Sequence, residues 1–247
     1  MIIYLIRTCL PAGRSDSRNM TQKKFWDKEY SDNKLVTKSD KPQKDFLNFL
    51  KFLKKECKLT IDNLKILDLG CGVGKNSNYL AGKNNKVTGL DISGVAIEEA
   101  RLRAKNLGVD VNYLVADIGS SYLLDDSSFD IIIDVISSNS LNETGRNIYL
   151  SESRRVLKAS GYFFVRALCK DGDKNAKNLI KNNPGKEKNT YTMKGLGLTE
   201  KVFEKNEIIE LYSKYFKILK LTKKTAYTKY ANQSYKRNYW LLYLLKN

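Results

Sequence analysis

KILDLGCGVGKNSNYL, residues 65–80, carries an apolar run into Asp68, then places Gly70, Gly72 and Gly74 on alternate positions ahead of a polar, helix-like segment. This order reads as strand, loop, helix. Glycines at such a junction let the chain turn tightly and let a ligand press on backbone where a Cβ would clash. The helix beginning near Lys75 adds the partial positive charge of its N-terminus.

Outward from this stretch the pattern alternates. KVTGLD (86–91) is a strand, and SGVAIEEARLRAKNLG (93–108) is a helix with Ser93 as N-cap and Gly108 as its stop. VNYLVAD (111–117) and the largely apolar FDIIIDVI (129–136) are further strands, RNIYLSESRRVLK (146–158) is a helix, and GYFFVRAL (161–168) is a fifth strand. Short strands separated by helices imply crossover units and a parallel sheet, and near-continuous apolar strands imply burial of both its faces. Near the C-terminus, NEIIELYSKYF (206–216) reads as a helix, and KILKLTKKTAYT (217–228) and RNYWLLYLLK (237–246) as an antiparallel hairpin at the sheet edge. The expected fold is therefore α/β, a doubly wound Rossmann-like sheet of seven strands, mostly parallel, with an antiparallel C-terminal edge hairpin.

The expected organisation is one domain over residues 20–247. A helical cap spans 20–58, where Phe25, Trp26 and Tyr30 share a short amphipathic helix and Phe46, Phe49, Leu50 and Leu53 recur at helical spacing over 42–57. A ligand-binding core spans 59–168, and the C-terminal helix and hairpin span 204–247. Residues 169–203, rich in Lys, Asn and Gly, read as an irregular lid, loop or disordered segment. Residues 1–19 differ in pattern from the lysine-rich helical segment that opens at Met20, and they are expected to be an upstream-start extension. Their apolar stretch is too short to span a bilayer, and no basic residue precedes it as a signal peptide requires.

Composition narrows the chemistry. The 247 residues include no histidine, so no histidine serves as base, proton shuttle or metal ligand. The four cysteines form no CxxC pair and read as reduced thiols of a cytoplasmic protein, with no zinc or other metal site and no disulfide framework. No apolar run is long enough to enter a membrane as a spanning helix. The net charge is +17, and residues 161–247 hold 19 basic and 7 acidic side chains. Two readings stand for this excess: coding bias that scatters lysines over solvated faces, or an anionic partner.

Two ligands commonly use a glycine loop at the carboxyl end of the first strand of an open α/β sheet. A dinucleotide fingerprint reads GxGxxG, whereas this loop reads GxGxG with Lys75 following, and Asp68 would face a pyrophosphate with like charge. A ligand bearing an ammonium group suits it better. DLGCGVG, then GLDIS with Asp91 closing the second strand, then VADI and FDIIIDVI, together resemble the class I methyltransferases that use S-adenosylmethionine, across roughly residues 60–168. The edge hairpin resembles the last two strands of the same family. The resemblance implies that Asp68 contacts the methionine amino group and that Gly70, Cys71, Gly72 and Gly74 form the backbone floor. It implies that Asp91 takes the ribose hydroxyls, that Ile92 and Val135 pack in the cofactor site, and that Asp117 and the Ile118 amide meet the adenine edge. Each has a plainer alternative: Asp68 and Asp117 as strand-end turn formers, Asp91 as a helix-start residue, Cys71 as a small packed thiol.

Methyl transfer from a sulfonium needs alignment more than acid–base chemistry, so the lack of histidine is tolerable. Many small-molecule members carry Glu-His after the fourth strand; this chain reads SSNS (137–140), which leaves the catalytic residues unassigned. There Asn139 either bonds substrate or caps the loop. FWDKEY resembles the aromatic-acidic helix covering the cofactor in small-molecule members, so Trp26 and Tyr30 are lid residues or core anchors. Arg166, closing the fifth strand, either orients an anionic substrate or pairs with an acid. The acceptor is expected to be a small molecule. RNA is the alternative, resting on tyrosines interleaved with lysines in KKTAYTKYANQSYKRNYW, with no NPPY-type motif in its support. A binding module without turnover is the third reading, which the full set of Asp68, Gly70, Gly72, Asp91 and Asp117 opposes.

Overall fold

A computed structural model describes residues 17–32, 39–193, 198–230 and 233–247. The expected extension over 1–19 therefore lies outside the described residues up to position 16, and Ser17 onward belongs to the first helix. The chain runs α1 (Ser17–Asp32), α2 (Lys44–Glu56), β1 (Lys65–Leu69), α3 (Lys75–Ala81), β2 (Lys86–Asp91), α4 (Gly94–Leu107), β3 (Asn112–Val115), β4 (Phe129–Val135), α5 (Glu143–Val156) and β5 (Leu157–Leu168). It continues through α6 (Lys174–Asn182), β6 (Thr190–Met193), β7 (Leu198–Lys201), α7 (Lys205–Ser213), β8 (Lys217–Tyr230) and β9 (Gln233–Leu245).

The main sheet has seven strands in the order β3-β2-β1-β4-β5-β9-β8. The first five are parallel; β9 pairs antiparallel with both β5 and β8. The strand order reverses between β1 and β4, so the ends of these two strands open the crevice where such sheets bind ligands.

The alternation along β4 shows how both faces are covered. Ile131 and Ile133 join Phe46, Phe49 and Leu53 of α2 on one face. Ile132 joins Tyr149 and Leu150 of α5 on the other. Phe46, Phe49 and Leu53 are fully buried, and each such side chain contributes about 1.5–3 kcal/mol on leaving water. The caps expected for α4 are present: Ser93 Oγ accepts from Ala96 N at 3.2 Å, and Gly108 ends the helix with a φ of 66°.

Residues 169–203 depart from the expected irregular segment. They hold α6 and the separate two-stranded sheet β6–β7. Asp173 caps α6 through Ala176 N at 2.8 Å and also pairs with Arg237 of β9 at 3.2 Å. Arg146 of α5 reaches Glu187 at 2.5 Å, and buried Lys201 of β7 reaches Glu207 of α7 at 2.5 Å. Ion pairs to distant elements hold this segment, and they leave no periodic trace in its composition.

Candidate active site

Gly70 and Gly72 follow β1 with φ values of 69° and 54°, a region that side chains rarely adopt. A Cβ on Gly70 would lie 2.0 Å from Ser137 Oγ, and one on Gly72 would lie 2.7 Å from the Tyr30 hydroxyl. The loop is thus closed from above by α1 and from the side by the turn after β4. Gly74 opens α3 against Tyr113, and Cys71 is tucked behind the loop, where burial raises its thiol pKa.

Asp91 ends β2 and is 6 % exposed. Its two carboxylate oxygens are each held by a backbone amide, Oδ2 by Gly72 N at 2.8 Å and Oδ1 by Ser93 N at 2.9 Å. Burial raises its pKa above the ordinary carboxylate value, against the pull of these amides. Asp117 accepts from Gly119 N at 2.8 Å. Asp68 is 1 % exposed and accepts from Ser77 Oγ at 2.6 Å; burial, with Asp134 and Asp91 nearby, pushes its pKa to about 7.

A cavity of about 210 Å³ opens at this junction. Gly70, Asp91, Ile92, Asp117, Ile118 and Val135 line it, joined by Trp26 and Tyr30 from α1. The helix is tied across the opening: Ser93 Oγ donates to Asp27 Oδ1 at 2.6 Å, and Gln22 Nε2 donates to Ser140 O at 2.5 Å.

A family model described as a methyltransferase domain matches residues 60–232. The chain belongs to that family. The ubiquinone biosynthesis O-methyltransferase of Pelagibacter ubique (strain HTCC1062) is 29 % identical over 158 residues, covering 62 % of this chain and 61 % of that protein. The match thus spans about six tenths of that relative's length. Among solved structures, a SAM-dependent methyltransferase from Methanosarcina mazei superposes with a TM-score of 0.69 at 25 % identity, covering 83 % of this chain and 98 % of that one. The Burkholderia thailandensis 1,6-didemethyltoxoflavin-N1-methyltransferase, solved with bound 1,6-didemethyltoxoflavin and S-adenosylhomocysteine, superposes with a TM-score of 0.66 over 98 % of this chain and 93 % of that one. At 16 % identity that likeness is one of fold. The cofactor that goes with these proteins is S-adenosylmethionine, and the cleft of this methyltransferase-family chain fits it. Gly70 leaves bare backbone at the floor, where a Cβ would collide, and the acids Asp91 and Asp117 line the walls.

Asp68, Cys71, Gly72 and Gly74 are not among the residues that line this cavity. Asn139 is fully buried, and its Oδ1 accepts from Leu168 N at 3.1 Å at the end of β5, while its Nδ2 meets no partner among the described residues. Of the two readings of Arg166, the structure shows the pairing with an acid. Its Nε donates to Asp45 of α2 at 3.1 Å, and its guanidinium lies 3.5 Å from the centre of the Tyr239 ring. Both partners of this ion pair are buried. Asp45→Ala would strand the guanidinium without a counter-charge, so it is expected to lower unfolding stability by about 3–5 kcal/mol in urea titration.

Sequence reading missed Gln22, Ile136, Ser137, Ser140 and Leu141 in the lining. For Gln22 a signal existed, since Gln22, Trp26 and Tyr30 stand at i, i+4 and i+8 on one face of α1. The others lie on a turn whose conformation no periodicity encodes.

Proposed function

We propose that the chain transfers a methyl group from S-adenosylmethionine to a small-molecule acceptor. The observation that carries this reading is Asp91: a buried carboxylate at the end of β2, with each oxygen fixed by a backbone amide, in the wall of a cleft floored by glycine.

When bound, the cofactor supplies a methyl group already activated by its sulfonium. Asp91 accepts from the ribose hydroxyls; the amides of Gly72 and Ser93 keep both oxygens oriented for this. Asp117 and the Ile118 amide serve the adenine edge, with Ile92 and Val135 packed on the ring and its surroundings. Asp68 answers the cofactor's ammonium group from behind Gly70. Trp26 and Tyr30 roof the cleft and exclude water, which aids alignment. Burial and the nearby Asp91 carboxylate push the Tyr30 hydroxyl well above its ordinary pKa, so Tyr30 acts as a wall and a neutral donor rather than a base. The free thiols of Cys57, Cys71 and Cys169 support a cytoplasmic setting, and among the described residues no helix is long and apolar enough to cross a membrane.

RNA as acceptor is the second reading. Its support is the basic hairpin, where β8 and β9 remain paired from Thr225–Asn238 to Tyr230–Gln233, beyond the last β5 pair at Leu168–Tyr239. This ribbon projects from the end of the sheet where the cleft opens. The deciding experiment is transfer from methyl-labelled S-adenosylmethionine into an extract of the native host, separated into RNA, protein and small molecules. Label in the small-molecule fraction supports the first reading; label in RNA transfers the support to the second.

A further inference from the structure

Asp134, next to last in β4, is fully buried. Burial raises its pKa, so a carboxylate at this position costs the fold stability unless donors meet it. Three donors do. Ser137 N donates to Oδ1 at 2.8 Å, Ser138 N to Oδ2 at 3.3 Å, and the Tyr149 hydroxyl of α5 to Oδ2 at 2.7 Å.

Two of these donors are successive amides of the turn that leaves β4, and that turn forms one wall of the cleft through Ile136, Ser137, Ser140 and Leu141. Little within the turn fixes its shape. Its internal backbone bonds run from Ser140 N to Ser137 O at 3.3 Å and from Leu141 N to Ser138 O at 3.2 Å. Ile136 sits at a φ of 69°, where a β-branched residue is strained. Strained backbone persists where its surroundings over-determine it. Here the Asp134 carboxylate holds the two amides after Ile136, and Ile136 N donates to Arg166 O at 2.9 Å. Ser137 Oγ donates to Gly70 O at 3.2 Å, which seats the turn on the glycine loop.

The side chain at 134 must therefore accept twice from the turn. A carboxylate can do so and a carboxamide cannot. In either orientation of an asparagine, its amide group would point an N–H at one of the two turn amides, donor against donor.

We propose that Asp134 is a positioning residue for the cofactor: by holding Ser137 N and Ser138 N it sets the wall against which the nucleoside end seats. That wall shares its cavity with Asp91, Ile92, Asp117 and Ile118, the residues assigned to ribose and adenine. The identity of the ligand rests on the methyl-transfer reading, so the test separates the two.

Asp134 has a second route to the cofactor, through charge. Burial raises the pKa of Asp68, and the Asp134 charge adds to it. Removing that charge eases ionisation of Asp68 and tightens binding of an ammonium ligand, the opposite sign to loss of the wall.

Wild type, Asp134→Asn and Tyr149→Phe are titrated by calorimetry at pH 8 with S-adenosylhomocysteine and with 5′-methylthioadenosine, which lacks the amino-acid end. Their melting temperatures are compared. Asp134→Asn should lose about tenfold or more in affinity for both ligands, by similar factors, the effect of leaving a buried donor unmet. Tyr149→Phe removes a buried donor but leaves both turn amides with their acceptor. It should melt lower than wild type yet bind both ligands within about twofold of it. If Asp134→Asn does not fold, amide exchange in the ligand-free wild type takes its place. There the Ser137 and Ser138 amides should exchange at least about a hundredfold more slowly than in an unfolded chain. Four results would each overturn the proposal: affinity in Asp134→Asn equal to or above wild type, affinity lost by both variants in step with their melting temperatures, a loss confined to S-adenosylhomocysteine, or exchange of the two amides at the unfolded-chain rate. A wild type that binds S-adenosylhomocysteine but not 5′-methylthioadenosine would overturn it too. A wild type that binds neither ligand would instead overturn the methyl-transfer reading itself.

Discussion

Asp91→Ala should weaken S-adenosylhomocysteine binding by about a hundredfold or more, since two hydrogen bonds to a charged acceptor are lost at roughly 1.5–3 kcal/mol each. The fold should survive. Asp91 carries a raised pKa from burial, so removing its charge relieves a desolvation penalty while leaving the amides of Gly72 and Ser93 without their acceptor. These two effects oppose each other, and thermal melting should move little compared with the loss in affinity. Asp91→Asn, which keeps the shape and one acceptor oxygen, should fall between alanine and wild type. Calorimetric titration of the three proteins is the measurement. Unchanged affinity in a folded Asp91→Ala protein would mean that the ribose is held elsewhere and that the assignment of the cleft walls is wrong.

The core of the fold was legible because its signals are local. The apolar runs of β1, β2, β4 and β5, the Ser93 cap and the Gly108 stop are each contained within one element. The acids at strand ends were legible for the same reason: the topology of a parallel sheet brings the ends of β1, β2, β3 and β4 to one edge, so Asp91, Asp117 and Val135 meet at Gly70 without further information. Residues 169–203 were illegible because pairs such as Arg146–Glu187 and Arg237–Asp173 join positions 41 and 64 residues apart. Arg166 shows the limit most clearly. Its place at the end of β5 was correctly read, but whether a guanidinium there faces ligand or protein depends on Asp45, 121 residues away on a different element. The turn at 136–140 fails for another reason: its shape is set by the buried Asp134 and by Gly70 O, neither of which marks the sequence as unusual.

Cofactor affinity should depend on pH through Asp68. Burial raises this carboxyl to about 7, the negative charges of Asp134 and Asp91 add to the effect, and hydrogen bonds from Ser77 oppose it. Below about pH 7 the free protein therefore holds Asp68 largely protonated, whereas a ligand ammonium group favours the ionised form. Binding in that range must release a proton, so the dissociation constant for S-adenosylhomocysteine should rise about tenfold for each pH unit below 7 and level off above it. The sign follows from the partner: a cationic ligand stabilises the carboxylate, so the bound state has the lower Asp68 pKa and gains from rising pH until the free group is itself ionised. Asp68→Asn should bind more weakly at pH 8 and lose the slope. Asp91 is the competing source of any slope, because burial raises its pKa as well. A slope that persists in Asp68→Asn therefore belongs to Asp91, and a wild-type profile flat from about pH 5.5 to 8.5 removes Asp68 from the cofactor's amino end.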